Sequence, residues 1–197
     1  MLSRIFHKLA AQPWVYDRIQ DLAGQKEVLR RLAERVGAAQ PRVVIDIGGG
    51  TGTARKILPK DCHYVCLDVE MSKLAGFRSA VKDGFAILGD ATRIPVRSSS
   101  ADMVICKSVT HHLDIEMLAR AFEESARVLR SNGQFVLLDA ILNPKRLAGT
   151  ILWRLDRGSY PRSENELLQA FESRFKVIHW EKFAIYHEYV LGIGVPI

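Results

Sequence analysis

The sequence predicts an α/β fold, a doubly wound and mostly parallel sheet of seven strands closed by an antiparallel C-terminal hairpin. Three observations predict it. Short runs rich in Val, Ile and Leu recur at Val43–Ile47, His63–Asp68, Phe85–Leu88, Met103–Cys106 and Phe135–Asp139. Such runs, lacking regular polar alternation, suit strands covered on both faces. The first run enters a glycine-rich turn, Gly48-Gly49-Gly50-Thr51-Gly52-Thr53, followed by a helical start at Ala54-Arg55-Lys56-Ile57-Leu58. Residues 175–183 and 184–195 read as two adjacent strands, which supplies the hairpin.

The elements follow in order. Residues 2–39 carry helical stripes, Leu2, Ile5, Phe6 and Leu9 on one and Val28, Leu29, Leu32 and Val36 on another, with Pro13 between them. Gly37 and Pro41 stop the second helix before the first strand. A helix beginning after Asp68 follows the second strand. Residues 116–130 place Met117, Leu118, Ala121, Phe122, Ala126 and Leu129 at helical spacing, and Ser131-Asn132-Gly133 reads as their C-terminal cap. Two shorter helical stretches, 147–156 and 164–171, precede the hairpin. The chain is expected to form one domain, 1–197, with 1–40 as a helical cover and 41–197 as the core.

Composition narrows the function classes. A hydrophobic fraction of 48% and a charged fraction of 25% belong to an ordinary globular chain, and no apolar run reaches the roughly 18 residues that span a bilayer. Charged residues interrupt the N-terminus where a signal peptide would be apolar. Cys62, Cys66 and Cys106 form no C-x-x-C pair, so reduced, buried thiols and a cytoplasmic location are expected, with no metal site. The net charge of +6 is spread out and lacks interleaved aromatics, so no nucleic-acid partner is expected; contact with a membrane surface stays open.

The glycine turn is the centre of the chemistry. Glycine lets a ligand approach the backbone, and a helix start aims N–H groups at the same place. Glycines at 48, 50 and 52 with Thr53 in the sixth place do not fit a dinucleotide fingerprint, and no Gly-Lys-Ser/Thr ending makes a phosphate loop. Asp46 would repel a pyrophosphate but attract an ammonium. Asp68 lies 16 residues beyond Gly52, near the offset at which an acid takes a ribose diol. Lys107-Ser108-Val109-Thr110-His111-His112 ends the fourth strand, where the strand order of such sheets reverses and ligands bind.

Asp46-Ile47-Gly48-Gly49-Gly50-Thr51-Gly52, together with the run ending in His111-His112-Leu113, resembles the class I S-adenosylmethionine-dependent methyltransferases, over roughly residues 43–140. The resemblance implies a Rossmann-like fold with S-adenosyl-L-methionine as cofactor. It implies that Asp46 faces the cofactor's ammonium, that Gly48, Gly49, Gly50 and Gly52 form its cradle, and that Asp68 takes the ribose. Val69 then lines the adenine, Asp90 and Ala91 read its edge, and Lys107 lies beside the cofactor. It makes Trp14 and Tyr16 candidate lid residues.

His111 and His112 are the candidate bases, since an imidazole titrates near pH ~6.5. The acceptor is expected to be a small or lipid-like molecule, and the basic segment 143–162, with Trp153, Arg157, Tyr160 and Arg162, points to an anionic one. Two other readings share the sheet. A nicotinamide oxidoreductase is disfavoured by Asp46 and the missing sixth-place glycine; a non-catalytic cofactor-binding protein would keep the pocket without chemistry.

Overall fold

The computed structural model describes residues 25–143, 153, 160–185 and 187–197. The expectations for Pro13, Trp14, Tyr16, the stripe from Leu2 to Leu9 and, apart from Trp153, the 147–156 segment therefore lie outside the described residues, as does Arg157. Helix α1 spans Gln25–Ala39, β1 Val43–Ile47, β2 His63–Asp68, α2 Met71–Ala80, β3 Gly84–Leu88 and β4 Ala101–Lys107. Helix α3 spans Ile115–Val128, β5 Leu129–Ile141, α4 Glu164–Glu172, β6 Phe175–Ala184 and β7 Glu188–Pro196.

The seven strands form one sheet in the order β3-β2-β1-β4-β5-β7-β6. β1 pairs in parallel with both β2 and β4, so the order reverses between β1 and β4. β7 runs antiparallel between β5 and β6 and completes the expected hairpin. Apolar residues on the two faces of the sheet form two cores. Val28, Leu32 and Val36 of α1, one turn apart, join Leu74 and Phe77 of α2 over one face. Leu118, Ala121 and Phe122 of α3 join Leu167 and Phe171 of α4 over the other. Side chains four apart stack on one helical face, which is why these spacings bury a single stripe.

Arg31 ties α1 to the far end of the chain. It pairs with Glu181 on β6 and lies 4.5 Å over the ring of Phe183.

Two local expectations change. Gly133 does not cap α3: the helix ends at Val128, Leu129 turns directly to extended backbone with φ −68° and ψ 144°, and residues 131–133 belong to β5. A Cβ on Gly133 would come within 3.0 Å of the carbonyl oxygens of Ala101 and Arg130, so the glycine serves a close backbone approach where the β4–β5 register is irregular. The segment after the glycine turn is a five-residue 3-10 helix, Thr53–Ile57, rather than an α-helix.

Candidate active site

Parallel registers bring the predicted residues to one edge. Ile47 stands beside Leu67 on one side and Cys106 on the other, so Gly48, Asp68 and Lys107 each follow one residue later at the carboxyl ends of adjacent strands. Lys107 is paired with Leu138, and Asp139 follows it.

The glycines of the turn have distinct jobs. Gly48, Gly50 and Gly52 hold φ of 64°, 59° and 78°, a region other residues avoid. A Cβ on Gly48 would run into Val109, one on Gly49 would lie 2.7 Å from Asp46 Oδ2, and one on Gly52 would lie 2.5 Å from the Phe77 ring. Only Gly50 among these four faces room: its nearest neighbours would be Lys73 Cδ at 3.8 Å and Asp68 Oδ2 at 4.0 Å. The open side of the cradle is therefore at Gly50, next to Asp68.

Asp68 is buried and held by backbone donors, Gly50 N to Oδ2 at 2.9 Å and Glu70 N to Oδ1 at 2.9 Å. Beyond it, Val69 and Met71 expose 66% and 57% of their surface, an apolar wall at the strand end where the adenine is expected. Asp90 is exposed and accepts from Thr92 N at 2.8 Å, so its carboxylate organises its own turn, with Ala91 buried behind it.

Asp46 lies beneath the turn, 1% exposed, and accepts a hydrogen bond from the Tyr64 hydroxyl, while its Oδ1 has no partner. Burial pushes this carboxyl up to about 6, against the pull of the Tyr64 hydrogen bond and of Lys107. An orphaned buried carboxylate oxygen and a cradle open at Gly50 fit a cationic ligand that meets the backbone there. Lys107, half-buried, lies between Asp46 and Asp139; burial lowers its pKa and both carboxylates oppose that.

The two histidines separate. Both sit in a 3-10 turn, Thr110–His112, but His111 is buried and His112 exposed, their ring centroids 4.2 Å apart. His111 Nδ1 lies 2.7 Å from Asp139 Oδ1. Asp139 is fully buried and accepts in addition from Val109 N at 3.1 Å, Thr110 N at 2.7 Å, Thr110 Oγ1 at 2.6 Å and Ala140 N at 2.8 Å. Burial alone would raise its pKa, yet the charge and hydrogen bond of His111 and the two donors of Thr110 hold it below the usual carboxylate range.

Trp153 stands against this turn, its ring 5.4 Å from His111 and 5.0 Å from His187, whose ring in turn meets Tyr189 at 6.0 Å. Arg162 does not offer its fork to a ligand. Its Nη1 donates to Thr110 O and its Nη2 to Leu113 O, both at 2.6 Å, so it clamps the histidine turn in place. Tyr160 N donates to His111 O at 3.0 Å and braces the same turn.

Sequence reasoning passed over Asp139 and Tyr64. Asp139 carried a signal, since it ends an apolar strand as Asp68 does. Tyr64 carried none, because only the pairing of β1 with β2 brings its hydroxyl to Asp46. Among the described residues no three His, Cys, Asp or Glu gather as metal ligands, and no helix is long and apolar enough to cross a membrane.

Comparison with known proteins bears on this geometry. A family described as a methyltransferase domain matches residues 45–137, which run from β1 through β5. The chain is 26% identical over 152 residues to the demethylmenaquinone methyltransferase of Thermotoga maritima, covering 75% of this chain and 66% of that one. It is 31% identical over 131 residues to a malonyl-[acyl-carrier protein] O-methyltransferase of a Marinomonas species, covering 61% and 46%. The chain thus spans 66% and 46% of the lengths of these two relatives. The fold matches a methyltransferase solved in complex with the Haloferax volcanii Trm112 methyltransferase activator, with a TM-score of 0.77, 18% identity and 97% of each chain covered. The domain match, these relatives and a sheet whose order turns at the glycine loop agree in supporting a class I S-adenosylmethionine-dependent methyltransferase, a family whose cofactor is S-adenosyl-L-methionine.

Proposed function

We propose that this chain is the catalytic domain of a methyltransferase that moves a methyl group from S-adenosylmethionine to a small-molecule or lipid-like acceptor by in-line displacement. The observation that carries the reading is the open cradle at Gly50, bordered by Asp68, in a turn that packs at Gly49 against the Asp46 carboxylate, whose Oδ1 has no partner. When bound, the cofactor supplies an electrophilic methyl group on a sulfonium. Asp46 holds the ammonium, Asp68 the ribose hydroxyls, Val69 with Asp90 and Ala91 the adenine, and Gly48, Gly49, Gly50 and Gly52 the backbone cradle.

Proximity and alignment do most of the work in such a displacement. Lys107 and the Thr110–His112 turn lie where the acceptor would meet the methyl group, and His111, the shielded member of the pair, is the candidate base. The named activities of the Thermotoga and Marinomonas relatives are compatible with a small or lipid-like acceptor. Arg162 is committed to carbonyls, so an anionic acceptor would draw on the other basic residues of 143–162, Arg157 among them. Three buried free cysteines support a reducing, cytoplasmic setting, and the shared core of α1 and the sheet supports a single domain.

Isothermal titration tests the cofactor half: S-adenosylmethionine should bind and NADH should not. Gly50→Val should weaken binding by about 100-fold or more, because the branched side chain fills the side from which the cofactor meets the backbone. Thermal unfolding measured alongside shows whether the sheet is intact. Normal affinity in a folded Gly50→Val protein would remove the cradle from this reading.

A further inference from the structure

Resting on that reading, we infer that Lys107 determines specificity for the amino-acid end of the cofactor: with Asp46 it forms a two-charge clamp, the Asp46 carboxylate taking the α-ammonium and the Lys107 ammonium the α-carboxylate. Strand alternation puts the two side chains on one face of the sheet. Val44 of β1 and Ile105 of β4 belong to the core shared with α1 and α2, whereas Ile45 and Cys106 belong to the opposite core. Side chains two residues apart share a face, so Asp46 and Lys107 stand on the side of α1 and α2. Asp139 follows Leu138 of that same core and so faces the other way, with His111. Of the two carboxylates whose charge reaches Lys107, Asp46 acts the more strongly.

The register fixes their spacing. Asp46 pairs with Ile105, so Lys107 lies one strand over and two residues on, with Cα atoms roughly 8 Å apart by strand geometry. Each group has capacity left. Asp46 Oδ1 has no partner, and among the described residues the half-buried Lys107 ammonium makes no hydrogen bond or ion pair. Opposite charges that share a face at this depth, yet do not satisfy each other, leave the place of a ligand that carries both signs.

An α-amino acid head is such a ligand. Its ammonium and carboxylate hang from one carbon and its net charge is zero, so seating it completes both side chains with charge-assisted hydrogen bonds and adds no charge to the site. A ligand with the ammonium alone would leave Lys107 bare and meet its repulsion; a ligand with neither charge would complete nothing. Other cations near the turn are engaged. Lys73 pairs with Glu70 at 2.9 Å, and Arg162 spends its fork on two carbonyls.

The test is titration calorimetry on the full chain with three ligands: S-adenosylhomocysteine, which carries the whole head; its decarboxylated analogue, which keeps only the ammonium; and 5′-methylthioadenosine, which lacks both charges. No methyl acceptor is needed. The wild type should bind S-adenosylhomocysteine about 10- to 100-fold more tightly than the decarboxylated analogue, the range for hydrogen bonds to charged groups. Lys107→Met should close that gap by weakening S-adenosylhomocysteine alone, leaving the decarboxylated analogue unchanged or tighter and 5′-methylthioadenosine unchanged. Asp46→Asn should sort the ligands differently, weakening both that carry the ammonium and sparing 5′-methylthioadenosine.

Equal affinity of the wild type for S-adenosylhomocysteine and its decarboxylated analogue would overturn the inference without any variant. Thermal unfolding run alongside identifies a misfolded Lys107→Met protein, for which Lys107→Gln stands in. In a folded variant, equal losses on all three ligands would reduce Lys107 to a structural part, and undiminished affinity for S-adenosylhomocysteine would turn its ammonium toward the acceptor; either overturns the clamp. Failure of the wild type to bind any of the three would instead overturn the proposed function beneath it.

Discussion

Three carboxylates stand at or near the carboxyl ends of three strands of the same sheet, and the two most deeply buried behave in opposite ways. Asp46 at the end of β1 has one donor, the Tyr64 hydroxyl, one orphaned oxygen and a pKa pushed up to about 6. Asp139, two residues before the end of β5, is as buried, yet the charge of His111 and the donors around it hold its pKa below the usual carboxylate range. Burial alone therefore does not decide the direction; the charge of a neighbouring His111 and the donors around Asp139 outweigh it there. Asp68 accepts from two backbone N–H groups. The difference separates a carboxylate completed by the protein from one left with an unpartnered oxygen.

The largest effect should come from the completed one. Asp139→Ala strands several buried donors at once and should lower unfolding stability by about 3–5 kcal/mol, read from urea denaturation. A loss under ~1 kcal/mol would mean that the donors find other partners, and the contrast with Asp46 would dissolve. Next, Asp68→Ala should weaken S-adenosylmethionine binding by about 1.5–3 kcal/mol, the range for lost hydrogen bonds to a charged group. An unchanged dissociation constant would move the ribose contact elsewhere.

Asp46→Asn should act in the opposite sense to Asp139→Ala. The folded pKa of Asp46 lies above its ordinary value, so the folded protein binds that proton more tightly than the unfolded chain. Stability is therefore lost as pH rises through about 6, and the full penalty is present at neutral pH. Removing the charge should stabilise the cofactor-free protein by about 1–3 kcal/mol at pH 7.5 while weakening cofactor binding. Thermal unfolding and titration calorimetry on one preparation would show the two signs together; a destabilised variant would mean that the charge is already compensated.

The smallest effect is graded. Cofactor affinity should decline as pH falls below about 6, by up to about tenfold per unit, as Asp46 takes up a proton and loses its hold on an ammonium. A flat profile between pH 5 and 7 would place the ammonium on another group. The sign for Asp139 differs: its lowered pKa makes its contribution to stability present above the ordinary carboxylate value and lost only as pH falls through its own, lower one.

What was legible in the sequence was local. The apolar runs mark buried strands because β-branched residues suit them, and the glycine turn announces itself because Gly48, Gly50 and Gly52 need positive φ. Asp68 could be found because its place follows from distance along the chain. The contacts that sort Asp46 from Asp139 join residues 18 and 28 positions apart, Tyr64 to Asp46 and His111 to Asp139, and no short-range pattern encodes them. Gly133 misled for a related reason: a glycine after a helix reads as a cap, and only the neighbouring strand shows that its backbone is pressed against Ala101. Arg162 looked like an anion anchor until Thr110 and Leu113 were seen to occupy its fork.

The position of β7 sets an order on synthesis. β7 follows β6 in the chain but lies between β6 and β5 in the sheet, so a nascent chain that has reached residue 184 holds two strands that cannot yet be joined. The Phe135 and Phe175 rings, stacked 4.4 Å apart across that gap, are left without the intervening backbone until Glu188–Pro196 has emerged. A chain in which β7 has not yet inserted thus carries open edges on β5 and β6, the state most exposed to pairing with other chains. Insertion of β7 closes the β5 edge and joins β6 to the sheet in one step.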